Sequence, residues 1–172
     1  QMELDRVQME WQGVGTVSKA LKRVQRALEE AGIAVEILEM ADGTRTAGDA
    51  ARAAGCHLDQ IAKSIIFKGE DSGKAVLFLT AGGNQVDTAK ASAVTGEPLG
   101  KADAALIRAQ TGFAIGGVSP VGYLNPIRAF VDPRLREFDT IWAAAGTPHH
   151  VFALTPDDLL HLTDANVCDF VA

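Results

Sequence analysis

The sequence predicts one α/β domain with a mixed sheet flanked by helices. Three observations carry this. The chain has 172 residues, about the length of one domain. Segments with apolar residues at helical spacing alternate with short β-branched runs, without a clean repeat. One run, Lys74–Thr80 (KAVLFLT), is apolar almost throughout, as a central strand buried on both faces must be. The composition, 47% hydrophobic and 22% charged with a mean hydropathy of +0.08, is that of a globular chain and argues against disorder. A domain of this size buries roughly 70% of its unfolded surface, so it needs neither a disulfide nor a metal to fold.

The elements follow in order. Residues 1–15 are expected to extend the domain. Gln1 is not an initiator, so the natural start is expected to lie before it. Val17, Leu21, Val24, Leu28 and Ala31 recur at spacings of four and three, one apolar helical stripe that Thr16 or Ser18 can cap and Gly32 can end. Lys19, Lys22, Arg23 and Arg26 lie off that stripe, as a solvated face or as a strip facing RNA. Ala34–Met40 reads as a strand and Asp42-Gly43 as a turn. Thr46 caps a short alanine-rich helix that Gly55 stops.

Gln60–Lys68 and Lys74–Thr80 read as strands, with Gly82-Gly83-Asn84 a turn and Thr88–Val94 a short helix. Lys101–Thr111 reads as a helix with Gly112 as its stop. Strands follow near Arg128–Val131, Thr140–Ala144 and His150–Leu154. Thr155, Pro156 and Asp158 provide a cap, a first-turn proline and an acid at the third position, starting a helix that runs to about Thr163. Val167–Val171 reads as a last strand.

The net charge of −6 is unevenly placed. Up to Arg136 there are 16 basic and 16 acidic residues; beyond it there are six acids and no Lys or Arg. The acidic balance excludes a protein that coats duplex nucleic acid by bulk charge, DNA included, but not a local contact. No apolar run approaches the ~18 residues of a membrane span, and the N-terminal residues have no signal-peptide core. Cys56 and Cys168 lack metal-type spacing and read as free thiols, which suits the cytoplasm.

Two features stand out chemically. Lys63 breaks an apolar strand face shared with Ile61 and Ile65. An ammonium there must snorkel at a strand end, pair, or face a cleft as a cation for an anionic or carbonyl-bearing ligand. Gly116-Gly117-Val118-Ser119-Pro120-Val121-Gly122 packs three glycines and a proline into seven residues. It makes a tight loop that either joins two elements or brings its backbone close to a ligand. It is neither a phosphate-binding P-loop nor a dinucleotide fingerprint. His149-His150 has no third ligand suitably spaced, so no metal and no cofactor are expected. Ser64 and Ser119 do not sit in a Gly-x-Ser-x-Gly elbow, which argues against a serine hydrolase.

Four segments occur in a telling order. They are Ala62-Lys63-Ser64-Ile65-Ile66-Phe67, the loop Gly116–Gly122, Ala145-Gly146-Thr147-Pro148-His149-His150-Val151-Phe152, and Leu154-Thr155-Pro156-Asp157-Asp158-Leu159. Together they resemble the YbaK/EbsC family, which is similar to the editing (insertion) domain of bacterial prolyl-tRNA synthetase. The resemblance runs from about Val17 to the C-terminus. It implies a single domain with a curved, partly barrel-like sheet. It also implies trans-editing: hydrolysis of the ester between a wrong, small amino acid such as alanine or cysteine and the 3′-terminal adenosine of tRNA, with tRNA(Pro) as carrier.

The family's essential lysine falls on Lys63 and its Gly-x-x-x-Pro loop on Gly116 and Pro120. The loop would place the attacking water, and the lysine would hold the terminal nucleotide or the carbonyl. Ser64, Gly117, Val118, Ser119, Ala144, Gly146 and His149 are the pocket candidates, with Ser64 alternatively structural. Where some members carry Ser-Ala-Gly, this chain has Ala144-Ala145-Gly146. The lost hydroxyl sets it apart from the cysteine type and leaves a wall suited to alanine or another small aliphatic residue. The implied partners are the 3′ CCA end of a mischarged tRNA and an aminoacyl-tRNA synthetase. A non-catalytic module that binds tRNA or a synthetase with the same fold is the alternative.

Overall fold

The computed structural model describes residues 17–40 and 46–172, so the expectations for the N-terminal extension, the Thr16 cap and the Asp42-Gly43 turn lie outside the described residues. Helix α1 spans Val17–Glu30. The middle of its stripe faces inward as predicted, with Leu21, Val24 and Leu28 buried in the main core, whereas Ala31 lies past the helix end and is exposed. Gly32, at φ 74°, ends it. Strand β1 (Ile37–Glu39) is shorter than the apolar run suggested. Its pairing continues only through Met40, whose N–H donates to the His149 carbonyl (2.7 Å).

Helix α2 (Ala47–Ala54) starts at Thr46, whose hydroxyl accepts from the Asp49 amide, and ends at Gly55 in the left-handed region, as the sequence indicated. A 3-10 turn at Leu58–Gln60 delays the next strand, so β2 begins at Ala62 and runs to Gly69. A tight turn leads to β3 (Ala75–Ala81), all seven of whose residues are buried.

Asp87 caps α3 (Thr88–Thr95). The segment Leu99–Lys101 is not the start of a helix but an edge strand, β4, paired with Phe67–Gly69 of β2. Helix α4 therefore begins later, at Ala104, where Asp103 accepts from the Leu106 amide (2.8 Å) and fixes the boundary. Strand β5 (Arg128–Val131), a 3-10 turn (Pro133–Glu137), β6 (Ile141–Ala144), β7 (His150–Leu154) and α5 (Pro156–Thr163) follow. The last strand, β8, is reduced to Asn166–Val167, with Val171 forming a lone bridge to Val86.

The strands make two arrays rather than a closed barrel. One is antiparallel, β1-β7-β6; the other runs β4-β2-β3-β5-β8, antiparallel on one side of β3 and parallel on the other. Among the described residues a single bridge, Ile61 to Trp142, ties the arrays at the start of β2. The sheet is therefore mixed, as predicted, and has a seam between β2 and β6.

Side-chain alternation along β3 divides the interior. Leu77, Leu79 and Ala81 join the main core with Leu21, Val24, Ile141 and Phe152. Val76 and Phe78 form a second core with Phe130 and Phe170. Phe78 stacks on Phe130 at 5.3 Å and meets Phe170 edge-on at 4.9 Å. The C-terminal segment is held there by backbone bonds from Asp87 to Phe170 and from Ala172 to Gln85. The nearby Lys90–Asp169 ion pair (3.1 Å) is solvent-exposed. Phe170→Ala should cost about 3–5 kcal/mol. Lys90→Ala should cost less than about 1 kcal/mol. Urea denaturation of the two variants measures the contrast.

Candidate active site at the sheet seam

A cleft of about 630 Å³ opens at the seam. Strand β2 supplies Lys63 and Ser64, and β6 supplies Trp142, Ala143 and Ala144. The glycine loop supplies Gly116 and Val118, and α2 covers it with Ala47, Gly48 and Ala50. Small side chains dominate the wall, so the space exists because little fills it.

Lys63 is half-buried and pairs in register with Thr80, which is fully buried. Its ammonium donates to the carbonyl of Asn84 (2.5 Å). Burial pushes its pKa below the ordinary lysine value, and the negative charges of Asp132 and Asp59 oppose that fall. The sequence left a snorkelling lysine, a paired one and a cleft cation open; the structure shows a cation tethered at the edge of a cleft.

What tethers it is a network the sequence reading missed. Asp132 is 2% exposed. Its carboxylate accepts from the Ala81 amide (3.1 Å), the Asn84 side-chain amide (2.8 Å) and the Arg134 amide (3.0 Å). Asp59 accepts from the Gly83 amide (2.8 Å) and from Nε of Arg134 (3.0 Å). Burial raises the Asp59 pKa, but the bonds from Arg134 and Gly83 outweigh it and hold the carboxyl below its ordinary value. Asp132 thus holds the two sides of the 82–84 turn, at Ala81 and Asn84, and Asp59 holds its middle, at Gly83; the Asn84 carbonyl in turn holds Lys63. The available signal was Asp132-Pro133 directly after an apolar strand, a cap signature for the 3-10 turn.

The glycine loop is shaped by close approach. A Cβ on Gly117 would lie 2.8 Å from the Thr147 Cα and 3.0 Å from the Gly146 carbonyl carbon, so only glycine lets the loop lie against the 145–149 turn. Gly116, at φ 90°, turns the chain toward the cleft. Arg23 of α1, instead of facing solvent or RNA, clamps the loop: it donates to the carbonyls of Gly112 (2.8 Å) and Gly122 (3.2 Å) and lies over the Phe113 ring.

The expected site residues divide accordingly. Lys63, Ser64, Gly116, Val118 and Ala144 line the cleft together. The Ser64 hydroxyl is buried there with no protein partner. Gly117 and Gly146 shape the backbone behind the cleft, Gly146 packing on the Ala20 carbonyl of α1. Ser119 is fully buried and its hydroxyl accepts from the Val121 amide (3.3 Å). Pro120 lines a second cavity, of about 1000 Å³, with Tyr123, Arg128 and His161. His149 is exposed on the turn, outside the cleft lining. His150 is buried, its Nδ1 2.6 Å from the Thr147 hydroxyl. Among the described residues no group of three or more His, Cys, Asp or Glu could hold a metal, and both cysteines are free. No described helix is long and apolar enough to cross a membrane.

The α/β domain thus has a cleft at a sheet seam with a tethered cation on one side and a close-packed glycine loop on another. The chain matches the aminoacyl-tRNA editing domain family over residues 41–162, and it belongs to that family. It is 30% identical over 132 residues to the uncharacterized protein YwhH of Bacillus subtilis, covering 77% of this chain and 83% of that protein. A solved structure of a candidate trans-editing enzyme for prolyl tRNA synthetase superposes with a TM-score of 0.83 at 45% identity, covering 89% of this chain and 97% of that one. Another, from a study of computational epitope grafting onto scaffold proteins, gives a TM-score of 0.84 at 44% identity with the same coverage. The resemblance read from the four sequence segments therefore holds.

Removing the buried anchor should be felt throughout the site. Asp132→Ala leaves three donors without their acceptor and should cost about 3 kcal/mol or more. Chemical denaturation reads this directly.

Proposed function

We propose that the protein is an aminoacyl-tRNA deacylase acting in trans. It hydrolyses the ester linking a small, wrong amino acid to the 3′-terminal adenosine of tRNA. The single observation that carries this reading is the cleft itself, in a member of the editing-domain family: Lys63 and Gly116 face one space whose wall includes five alanines and two further glycines.

The chemistry asks little of the protein. Water adds to the ester carbonyl, the bond to the ribose oxygen breaks, and that oxygen takes a proton. The products are the free amino acid and tRNA with its terminal hydroxyl restored. Water is the only co-reactant. An activated ester needs positioning and charge stabilisation more than a strong nucleophile. Lys63 supplies positive charge for the terminal nucleotide's phosphate or the carbonyl oxygen, and it is held in place beforehand by Asn84. Gly116 presents backbone at the cleft, and the loop through Pro120 keeps that backbone rigid while the terminal ribose hydroxyl helps place the water.

Ala144 lies on the cleft wall beside Ala143 and Trp142, and its methyl group leaves room for a small side chain. We assign alanine or another small aliphatic residue as the group removed, with tRNA(Pro) as carrier and the cognate synthetase as the source of the substrate. That work lies in the cytoplasm. Pocket walls of this kind discriminate by only about 1–3 kcal/mol per methylene. Selection therefore depends on the tRNA as well as on the amino acid.

Lys63→Ala should fold normally and lose on the order of 10²–10³-fold in deacylation rate. The measurement uses a panel of labelled mischarged tRNAs, with circular dichroism confirming the fold. Full activity in the variant would overturn the role of Lys63. Binding by the wild-type protein without faster ester loss would identify a non-catalytic tRNA-binding module instead.

A further inference from the structure

The outward face of α1 carries a feature the cleft does not use. Lys19, Lys22 and Arg26 are exposed, whereas Leu21, Val24 and Leu28 are buried. At about 100° per residue the three cations fall within one narrow arc opposite the buried stripe, spread over ~10 Å of helix axis. Among the described residues none of the three has a hydrogen bond or ion pair. Arg23, between them in sequence, is taken up by the glycine loop.

The helix is also placed against the site. The Ala20 carbonyl lies against Gly146, and the 145–149 turn lies against Gly117, next to the Gly116 that lines the cleft. The first turns of α1 therefore back the loop that forms one cleft wall. The excess acid lies elsewhere. Asp157 and Asp158 follow Leu154, at the opposite end of β7 from the 145–149 turn. Helix α1 precedes the matched family region, residues 41–162.

We infer that the Lys19–Lys22–Arg26 face of α1 is a docking surface for RNA phosphates: it receives the acceptor arm of the tRNA whose 3′ end enters the cleft. This rests on the substrate reading above. A cleft that takes a terminal nucleotide needs few phosphate contacts, and a basic arc with no side-chain partner among the described residues supplies a second anchor that a chain of net charge −6 provides nowhere by bulk charge.

The test compares the wild-type protein with the triple variant Lys19→Gln/Lys22→Gln/Arg26→Gln and a control variant, Lys101→Gln/Arg108→Gln, which removes exposed cations from β4 and α4. Two quantities are read: binding of uncharged tRNA against salt concentration, and cleavage of a short aminoacylated CCA oligonucleotide. The triple variant should bind tRNA about tenfold or more weakly, with a log–log salt slope shallower by about 2–3. It should cleave the short ester at the wild-type rate. The control should bind within about twofold of wild type. Unchanged tRNA binding in the triple variant, or equal losses in both variants, would overturn the inference. If wild type cleaves the short ester but binds no tRNA, the docking surface is refuted and the deacylase reading stands. A wild-type protein that cleaves no mischarged substrate refutes that reading, while the salt slopes still decide the surface.

Discussion

The carboxylate of Asp132 is buried at the end of β5 and accepts three N–H groups, from Ala81, Asn84 and Arg134. A buried charge is tolerated only when its lone pairs are satisfied, and this one is satisfied by the three segments that surround the cleft's cation. One bond fixes the end of the central strand, one fixes the 82–84 turn, and one starts the 3-10 turn after β5. Lys63 then meets a carbonyl whose position is already set. The arrangement holds a positive charge in a fixed place, the preorganisation that the proposed deacylation calls for.

Backbone packing does for the other wall what Asp132 does for Lys63. Gly117 lies on the 145–149 turn, Gly146 lies on α1, and Arg23 bonds the carbonyl of Gly122 at the end of the glycine loop and that of Gly112 ahead of it. A side chain at Gly117 would clash with the turn, and Gly146 and Gly122 combine close contacts to α1 with positive φ, so the loop's shape is set by α1 and by the turn before β7. Where α2 and β6 meet the seam between the two strand arrays, they line it with Ala47, Gly48, Ala50, Ala143 and Ala144, Trp142 being the one large side chain among them. Among the described residues the cleft lies where two small sheets are tied by the Ile61–Trp142 bridge.

Much of this was legible beforehand. The caps Thr46 and Thr155, the stops Gly55 and Gly112, and the doubly buried β3 follow local rules of spacing and hydrogen bonding, and they appear where expected. Lys63 was legible because a charge in an apolar run must be explained. The misses share a cause. Strand β4 contains Gly100 and follows Pro98, so it has no strand signature and exists only because β2 offers it an edge. Asp132, Asn84 and Asp59 are distant in sequence and meet only in the fold. Arg23 looked like its solvated neighbours, and only the tertiary position of Gly112 and Gly122 singles it out. Pro120 shares a motif with Gly116, yet the chain passes through the domain between them, so the two line different cavities.

The central claim is that acyl-adenosine chemistry occurs in the cleft bounded by Lys63 and Gly116. The most direct test titrates the isotope-labelled protein with a non-hydrolysable amide analogue of alanyl-adenosine and maps the backbone amide shifts. Binding in the cleft shifts Lys63, Ser64, Gly116, Val118 and Ala144 together and saturably. Shifts centred on Tyr123, Arg128 and His161, around the larger cavity, would contradict it.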